Sequence, residues 1–231
     1  MKLSDAKAAR VVEVFSSIQG EGVCLGQRQI FVRFGGCNLH CDYCDEPDTI
    51  PIPSGEIWTA DKVKEEIKKL KGEVVSWTGG EPLLHAAFLK ELMPWARRQR
   101  LKNYLETNGT RLAELRELAP LCDWISLDIK LPSATGRQTW SEHLESLRVA
   151  PEKSFAKVVL TSRSTDAEWR QVIRLMQEVS TNIPLILQPA TPRPGVETIE
   201  PAVAVRYLKQ ASALLKDVRL IPQFHPVWGL P

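Results

Sequence analysis

Gly35-Gly36-Cys37-Asn38-Leu39-His40-Cys41-Asp42-Tyr43-Cys44-Asp45 is the stretch on which the reading of this chain turns. Its cysteines have the spacing C-x3-C-x2-C. Three thiolates on one tight loop can hold three corners of a four-iron, four-sulfur cluster, a group that usually takes four cysteines. A set of three leaves one iron without a protein ligand, open to a small molecule and to chemistry beyond plain electron transfer. Zinc is the other reading, because tetrahedral zinc also takes clustered cysteines and His40 offers a fourth ligand. Zinc sites more often join C-x2-C halves from two places, and no second half exists in this chain.

Outward from the loop, the chain alternates β-rich runs with helical patterns. Residues 29–34 read as a strand that ends at the cysteines. Thr59 can cap a helix in which Val63, Ile67 and Leu70 share one face, opposite Lys and Glu. Further strands are expected over 73–78, 103–106, 123–127, 155–160, 184–188 and 218–221. Helices are expected over 86–100, 112–119, 138–148 and 201–216, with another marked by Trp169, Val172, Ile173 and Met176. Alternation at roughly thirty residues per unit predicts βαβ crossovers and a parallel sheet. Seven such strands predict a complete or partial (β/α) barrel with outer helices, and the partial form is expected. An open dinucleotide-binding sheet fits less well, since the first βα turn carries cysteines and not G-x-G-x-x-G. Residues 11–17 read as an additional strand ahead of the barrel.

The chain has 231 residues, 43% of them hydrophobic, and no low-complexity linker. That suits a single domain over 1–231, with 11–28 as an N-terminal extension and 29–231 as the core. Thirty basic residues against 28 acidic ones leave a formal charge of +2, no footprint for nucleic acid or an anionic membrane. No run of eighteen apolar residues predicts a membrane span, and the start lacks the apolar region of a signal peptide, so the expected location is cytoplasmic. Five cysteines, three of them clustered, do not resemble a disulfide framework. Cys122 reads as a small buried hydrophobe, and Cys24 as a buried or loop thiol outside the cluster.

In parallel α/β folds chemistry sits where strands end. The unusual polar residues fall there: the Cys37–Cys44 loop, Thr78-Gly79-Gly80-Glu81-Pro82, Glu106-Thr107-Asn108-Gly109, Asp128-Ile129-Lys130, Gln188-Pro189-Ala190-Thr191 and Pro222-Gln223-Phe224-His225.

The cysteine loop, with Tyr43 before its third cysteine, resembles the signature of the radical S-adenosylmethionine enzymes. The resemblance implies that Cys37, Cys41 and Cys44 hold the cluster and that its open iron binds the amino and carboxylate groups of S-adenosylmethionine. Reduction then yields a 5'-deoxyadenosyl radical. Thr78-Gly79-Gly80-Glu81-Pro82 resembles the GGEP motif of the same enzymes, in which a side-chain-free backbone approaches the methionine amino group. A plain strand-to-helix turn is the alternative for that segment.

Ser17-Ile18-Gln19-Gly20-Glu21-Gly22, followed by Phe31-Val32-Arg33-Phe34-Gly35-Gly36-Cys37, is similar to the 7-carboxy-7-deazaguanine synthase family. So is the closing Ile221-Pro222-Gln223-Phe224-His225-Pro226. These motifs span nearly the whole chain. They imply conversion of 6-carboxy-5,6,7,8-tetrahydropterin to 7-carboxy-7-deazaguanine with loss of ammonia, a step toward queuosine and related deazapurines. Arg33 would grip the substrate carboxylate with its planar fork. Ile18, Gln19, Gly20 and Glu21 would read the pterin edge, with Thr78, His225 and the terminal Pro231 also facing substrate. Tyr43, Cys44, Asp45 and Gly80, then Asp128, Ile129 and Lys130, then Gln188, Pro189, Ala190 and Thr191, would line S-adenosylmethionine. No side chain need act as a nucleophile. A flavodoxin-like reductant and a homodimer are implied by the same resemblance.

One position departs from the family. A threonine that helps hold Mg2+ commonly follows the Cys-Asp pair, and here Glu46 stands in its place. A carboxylate is itself a good Mg2+ ligand, so Glu46 serves directly, abolishes the Mg2+ site, or signals a substrate of different charge. Two other functions compete: another radical S-adenosylmethionine enzyme, such as a glycyl-radical activase, and a non-catalytic metal-binding or electron-transfer protein.

Overall fold

The computed structural model describes residues 8–229. Among these residues nine strands form one sheet: β1 (Ala8–Ile18), β2 (Arg28–Phe34), β3 (Glu56–Thr59), β4 (Val74–Gly79), β5 (Lys102–Thr107), β6 (Trp124–Asp128), β7 (Ser154–Leu160), β8 (Leu185–Pro189) and β9 (Val218–Leu220). Their order across the sheet is β3-β1-β2-β4-β5-β6-β7-β8-β9. The seven strands read from the sequence, β2 and β4 to β9, pair in parallel in chain order. β3 and β9 remain edges, so the sheet is open and does not close into a complete barrel.

The strand expected over 11–17 is β1, antiparallel to both β2 and β3. β3 was not expected. Its four residues carry too little pattern to read, and its pairing with β1 spans some fifty residues of chain.

Among the described residues eight α-helices connect or follow the strands: α1 (Ala60–Lys69), α2 (Ala86–Arg98), α3 (Leu112–Leu118), α4 (Pro132–Thr135), α5 (Trp140–Val149), α6 (Asp166–Val179), α7 (Pro201–Ser212) and α8 (His225–Trp228). Thr59 caps α1 as expected, accepting from the Lys62 N–H at 3.3 Å. Thr165 and Glu168 form a reciprocal capping box on α6. α2 stops short of the expected end because Arg100 takes a left-handed φ of 63°, which a helix cannot continue through.

Period-two alternation separates two faces of the sheet. Val75, Trp77, Leu105, Ile125, Leu127, Val158 and Leu187 pack into the large core beneath the helices. On the opposite face Val74, Tyr104, Phe155 and Ile186 form a small apolar floor. Above that floor the same face turns polar, with Ser76 and Thr78 on β4, Glu106 on β5, Asp128 on β6, Lys157 on β7 and Gln188 on β8. All seven residues of β7 are buried, so Lys157 is a cation enclosed in an apolar strand.

Candidate active site

A cavity of about 240 Å³ opens on the polar face, at the C-terminal ends of the parallel strands. Its rim is the cysteine loop. Backbone bonds pin that loop: Gly36 N–H donates to the Thr49 carbonyl at 2.7 Å, Cys37 N–H to Ile50 at 3.0 Å and Asp42 N–H to Ala134 at 3.0 Å. Cys37, Cys41 and Cys44 all line the cavity. Asn108 donates to the Cys37 sulfur at 3.9 Å and to Asn38 at 2.9 Å, so it is more than the turn residue its sequence context shows. Burial pushes all three thiols up, Cys44 to about 11. Among the described residues, Glu21, Asp45 and His225 form the group whose metal-ligating atoms lie within 4.8 Å of one another.

The turn after β4 seats itself under this loop. Gly80 N–H donates to the Phe34 carbonyl at 2.9 Å and Glu81 N–H to Gly36 at 2.8 Å. A Cβ on Gly80 would stand 2.1 Å from the Gly36 carbonyl oxygen, so only glycine fits. With both N–H groups committed, carbonyl oxygens are what the turn has left to offer an ammonium group. Glu81 accepts from Leu83 N–H, Thr107 Oγ1 and Asn108 N–H, tying this turn to the one after β5. Burial pushes its carboxyl up to about 7.

The N-terminal segment 19–22 bridges the sheet from the β1 side to the far strands. Gln19 donates to Glu106 at 2.9 Å. Glu21 accepts from Gln188 at 3.0 Å and Gln223 at 2.6 Å, and pairs with Lys157. Phe224 N–H donates to the Gly20 carbonyl at 2.9 Å, and a Cβ on Gly20 would stand 2.5 Å from His225 Nδ1. A sheet open in its hydrogen bonding is thus closed over the cavity by side chains.

Charge in this belt is mutual. Burial alone would raise Glu21, but the Lys157 ammonium and the hydrogen bonds from Lys157 and Gln223 bring it down to about 2. Lys157 also stands 3.4 Å from Asp128, which Lys130 meets at 2.9 Å. Glu106 accepts from Gln19, Ser76 and Thr78, and burial raises it. Lys130 N–H donates to Nε2 of buried His143 at 3.0 Å, and burial holds that histidine neutral, down to about 4.

Among the described residues, three that line the cavity keep a buried oxygen without a protein partner: Tyr43 Oη, Asp128 Oδ1 and Gln188 Oε1. Buried polar atoms are normally satisfied, so three orphans around one cavity fit a polar ligand there. Together with three thiols at its rim, the donor set suits a cluster and a polar organic cofactor.

Residues 31–176 match the model of the Radical SAM superfamily. The chain is 36% identical to the 7-carboxy-7-deazaguanine synthase of Geobacter sulfurreducens, over 96% of this chain and 97% of the relative. It is 35% identical to that of Methanothermobacter thermautotrophicus, over 96% and 98%. The chain belongs to the 7-carboxy-7-deazaguanine synthase family. Membership of the superfamily implies a four-iron, four-sulfur cluster and S-adenosylmethionine. QueE from Escherichia coli has the same fold, with a TM-score of 0.67 at 21% identity, covering 94% of this chain and 95% of that one. A radical SAM methyltransferase from Sphaerobacter thermophilus matches at TM-score 0.68 and 14% identity, covering 85% and 66%. The fold therefore carries more than one chemistry, and function is argued from the site.

For a 7-carboxy-7-deazaguanine synthase family member, the expected site is largely assembled in one place. Ile18, Gln19, Gly20, Glu21, Arg33, Thr78 and His225 line the cavity with the cysteines. So do Tyr43, Asp45, Glu46, Gly80, Asp128, Lys130, Gln188, Ala190 and Thr191. Two expected residues do not. Ile129 is wholly buried in the core, and its N–H donates to the Lys157 carbonyl. Pro189 ends β8 away from the lining. Pro231 lies outside the described residues. Lys157, His143 and the inward role of Glu106 were missed. An ionisable residue inside an apolar strand was the available signal for Lys157, whereas His143 acts only through the loop it supports.

Arg33 is already engaged. Its Nε donates to Glu13 at 2.7 Å, its Nη2 stands 3.2 Å from Glu46, and its guanidinium lies 5.5 Å from the centre of the Phe15 ring. Burial raises the Glu46 carboxyl against the pull of Arg33. Among the described residues, no helix is long and apolar enough to cross a membrane.

Proposed function

We propose that this chain converts 6-carboxy-5,6,7,8-tetrahydropterin to 7-carboxy-7-deazaguanine with release of ammonia. The observation that carries the reading is convergence: the three-thiol loop and the Gln19-Gly20-Glu21 segment face one cavity, although they join it from different elements. Cys37, Cys41 and Cys44 hold the cluster. With S-adenosylmethionine the cluster supplies hydrogen-abstracting radical chemistry; binding and orientation fall to the chain. The carbonyls around Gly80 receive the methionine ammonium, and the free oxygens of Asp128 and Gln188 accept from the cofactor's hydroxyls or amines. Glu21 and Glu106 each accept three donors from the protein and keep acceptor capacity for the donor edge of a pterin. Arg33 meets the substrate carboxylate, and Thr78 and His225 flank the ring.

The remaining parts of the proposal rest on the family. A single domain over 1–231 does the work, with 11–28 contributing substrate contacts. Mg2+ would be held near Glu46, a flavodoxin-like protein delivers the electron, the chain acts as a homodimer, and the reaction runs in the cytoplasm.

Mass spectrometry of an anaerobic reaction tests the reading, using reconstituted protein, dithionite, S-adenosylmethionine, Mg2+ and 6-carboxytetrahydropterin. The expected result is 7-carboxy-7-deazaguanine that depends on the pterin. Formation of 5'-deoxyadenosine without the deazapurine would leave the radical chemistry and remove the substrate.

A further inference from the structure

Arg33 carries one positive charge and faces two carboxylates before any substrate arrives. The two are held in different ways. Glu13 is the cross-strand neighbour of Arg33 in the β1–β2 register, so the sheet itself fixes that pair at 2.7 Å. Glu46 reaches Arg33 from the cysteine loop, at the longer distance of 3.2 Å. Its carbonyl accepts from both the N–H and the Oγ1 of Thr49, at 3.0 and 2.7 Å, so the backbone stays put and only the side chain can move. Glu46 lines the cavity, and Glu13 does not. A substrate carboxylate that approaches Arg33 from the cavity therefore meets Glu46 first. It must take the Nη2 edge from Glu46 or lie beside it as a third negative charge.

We propose that Glu46 is a specificity-determining residue that occupies the edge of Arg33 needed by a carboxylated substrate and competes with it. The inference rests on the reading that Arg33 receives the carboxylate of a pterin acid. Glu46 then acts as an internal stand-in for that group. It holds the Nη2 edge of the half-buried guanidinium, and it lowers affinity for carboxylated pterins relative to neutral ones. Removing its charge frees the Nη2 edge without touching the Glu13 pair.

Equilibrium dialysis separates these states. The full-length, cluster-loaded protein is dialysed anaerobically in EDTA against 6-carboxypterin or unsubstituted pterin, and bound ligand is read by pterin fluorescence. Glu46→Gln should tighten 6-carboxypterin roughly three- to tenfold, the size expected for one partly exposed charge pair, and leave pterin within roughly twofold. Glu46→Thr should move 6-carboxypterin in the same direction, which separates charge from side-chain size. The proposal is overturned if 6-carboxypterin binding is unchanged or weakened in both variants, or if both pterins tighten equally. Binding of neither pterin to any of the three proteins removes the pterin reading itself and this inference with it. Binding of 6-carboxypterin without a Glu46 effect removes the inference alone.

Discussion

The cysteine loop and the Glu21 network line one cavity, meet where Gln223 donates to both Glu21 and Asp45, and are held by opposite means. The loop is fixed by its backbone, through bonds to Thr49, Ile50 and Ala134, and its thiols stay available. The network is fixed by its side chains. Glu21 accepts from Gln188 and Gln223 and pairs with Lys157, and Lys157 is shared with Asp128. One wall is prepared for a ligand; the other is a set of charges that satisfy one another and shape the space beside it. Neighbours in the chain supply the bonds to Thr49 and Ile50, and Ala134 and Asn108 complete the first. The second needs β1, β6, β7, β8 and the segment after β9 to be in place together.

The contrast has measurable consequences. The largest effect belongs to the loop. Cys37→Ala, Cys41→Ala or Cys44→Ala should each abolish the brown colour of the reconstituted cluster and with it 5'-deoxyadenosine formation, while far-ultraviolet circular dichroism stays native. A variant that loses its fold along with its colour would show that the thiols, and not the bonds to Thr49, Ile50, Ala134 and Asn108, hold the loop in place. On the other wall, Lys157→Met leaves Glu21 and Asp128 without their shared cation. It should cost about 3–5 kcal/mol of stability, the usual penalty for breaking a buried pair, read from the urea midpoint.

His143 tests the link between the walls, since it holds the loop that carries Asp128 and Lys130. Burial lowers it to about 4 in the folded protein, against roughly 6.5 unfolded. Between those values the unfolded chain takes up a proton and the folded chain does not. Stability should therefore fall as pH drops from about 6.5 to about 4, by up to about 3 kcal/mol. His143→Gln should flatten that part of the curve, measured as urea midpoints across the range. An unchanged slope would place the acid sensitivity on the carboxylates instead. The smallest effect is expected from Gln223, whose amide donates to both Glu21 and Asp45. Gln223→Leu should destabilise by about 1–2 kcal/mol, because two carboxylates lose one shared donor. A Gln223 effect equal to that of Lys157 would show that the network is cooperative and not dominated by its cation.

By itself the sequence determined the parts whose cause is local. Hydrophobic alternation and short crossovers marked seven parallel strands. The spacing of Cys37, Cys41 and Cys44 marked the cluster loop, because ligands on one turn must be near one another in the chain. Gly80 was legible for a similar reason: the turn ends a strand beside that loop. The tertiary structure decided what depends on distant partners. It left the sheet open and added β3 at one edge through pairing with β1. It turned Glu21 from a free acceptor into the centre of a paired network. It put Ile129 in the core, although its neighbours on both sides line the cavity. It also brought Glu46 to Arg33, a contact between a strand and a loop that no periodicity encodes. Backbone geometry over a few residues is written locally, whereas the pairing of buried charges is settled only when the sheet brings its strands together.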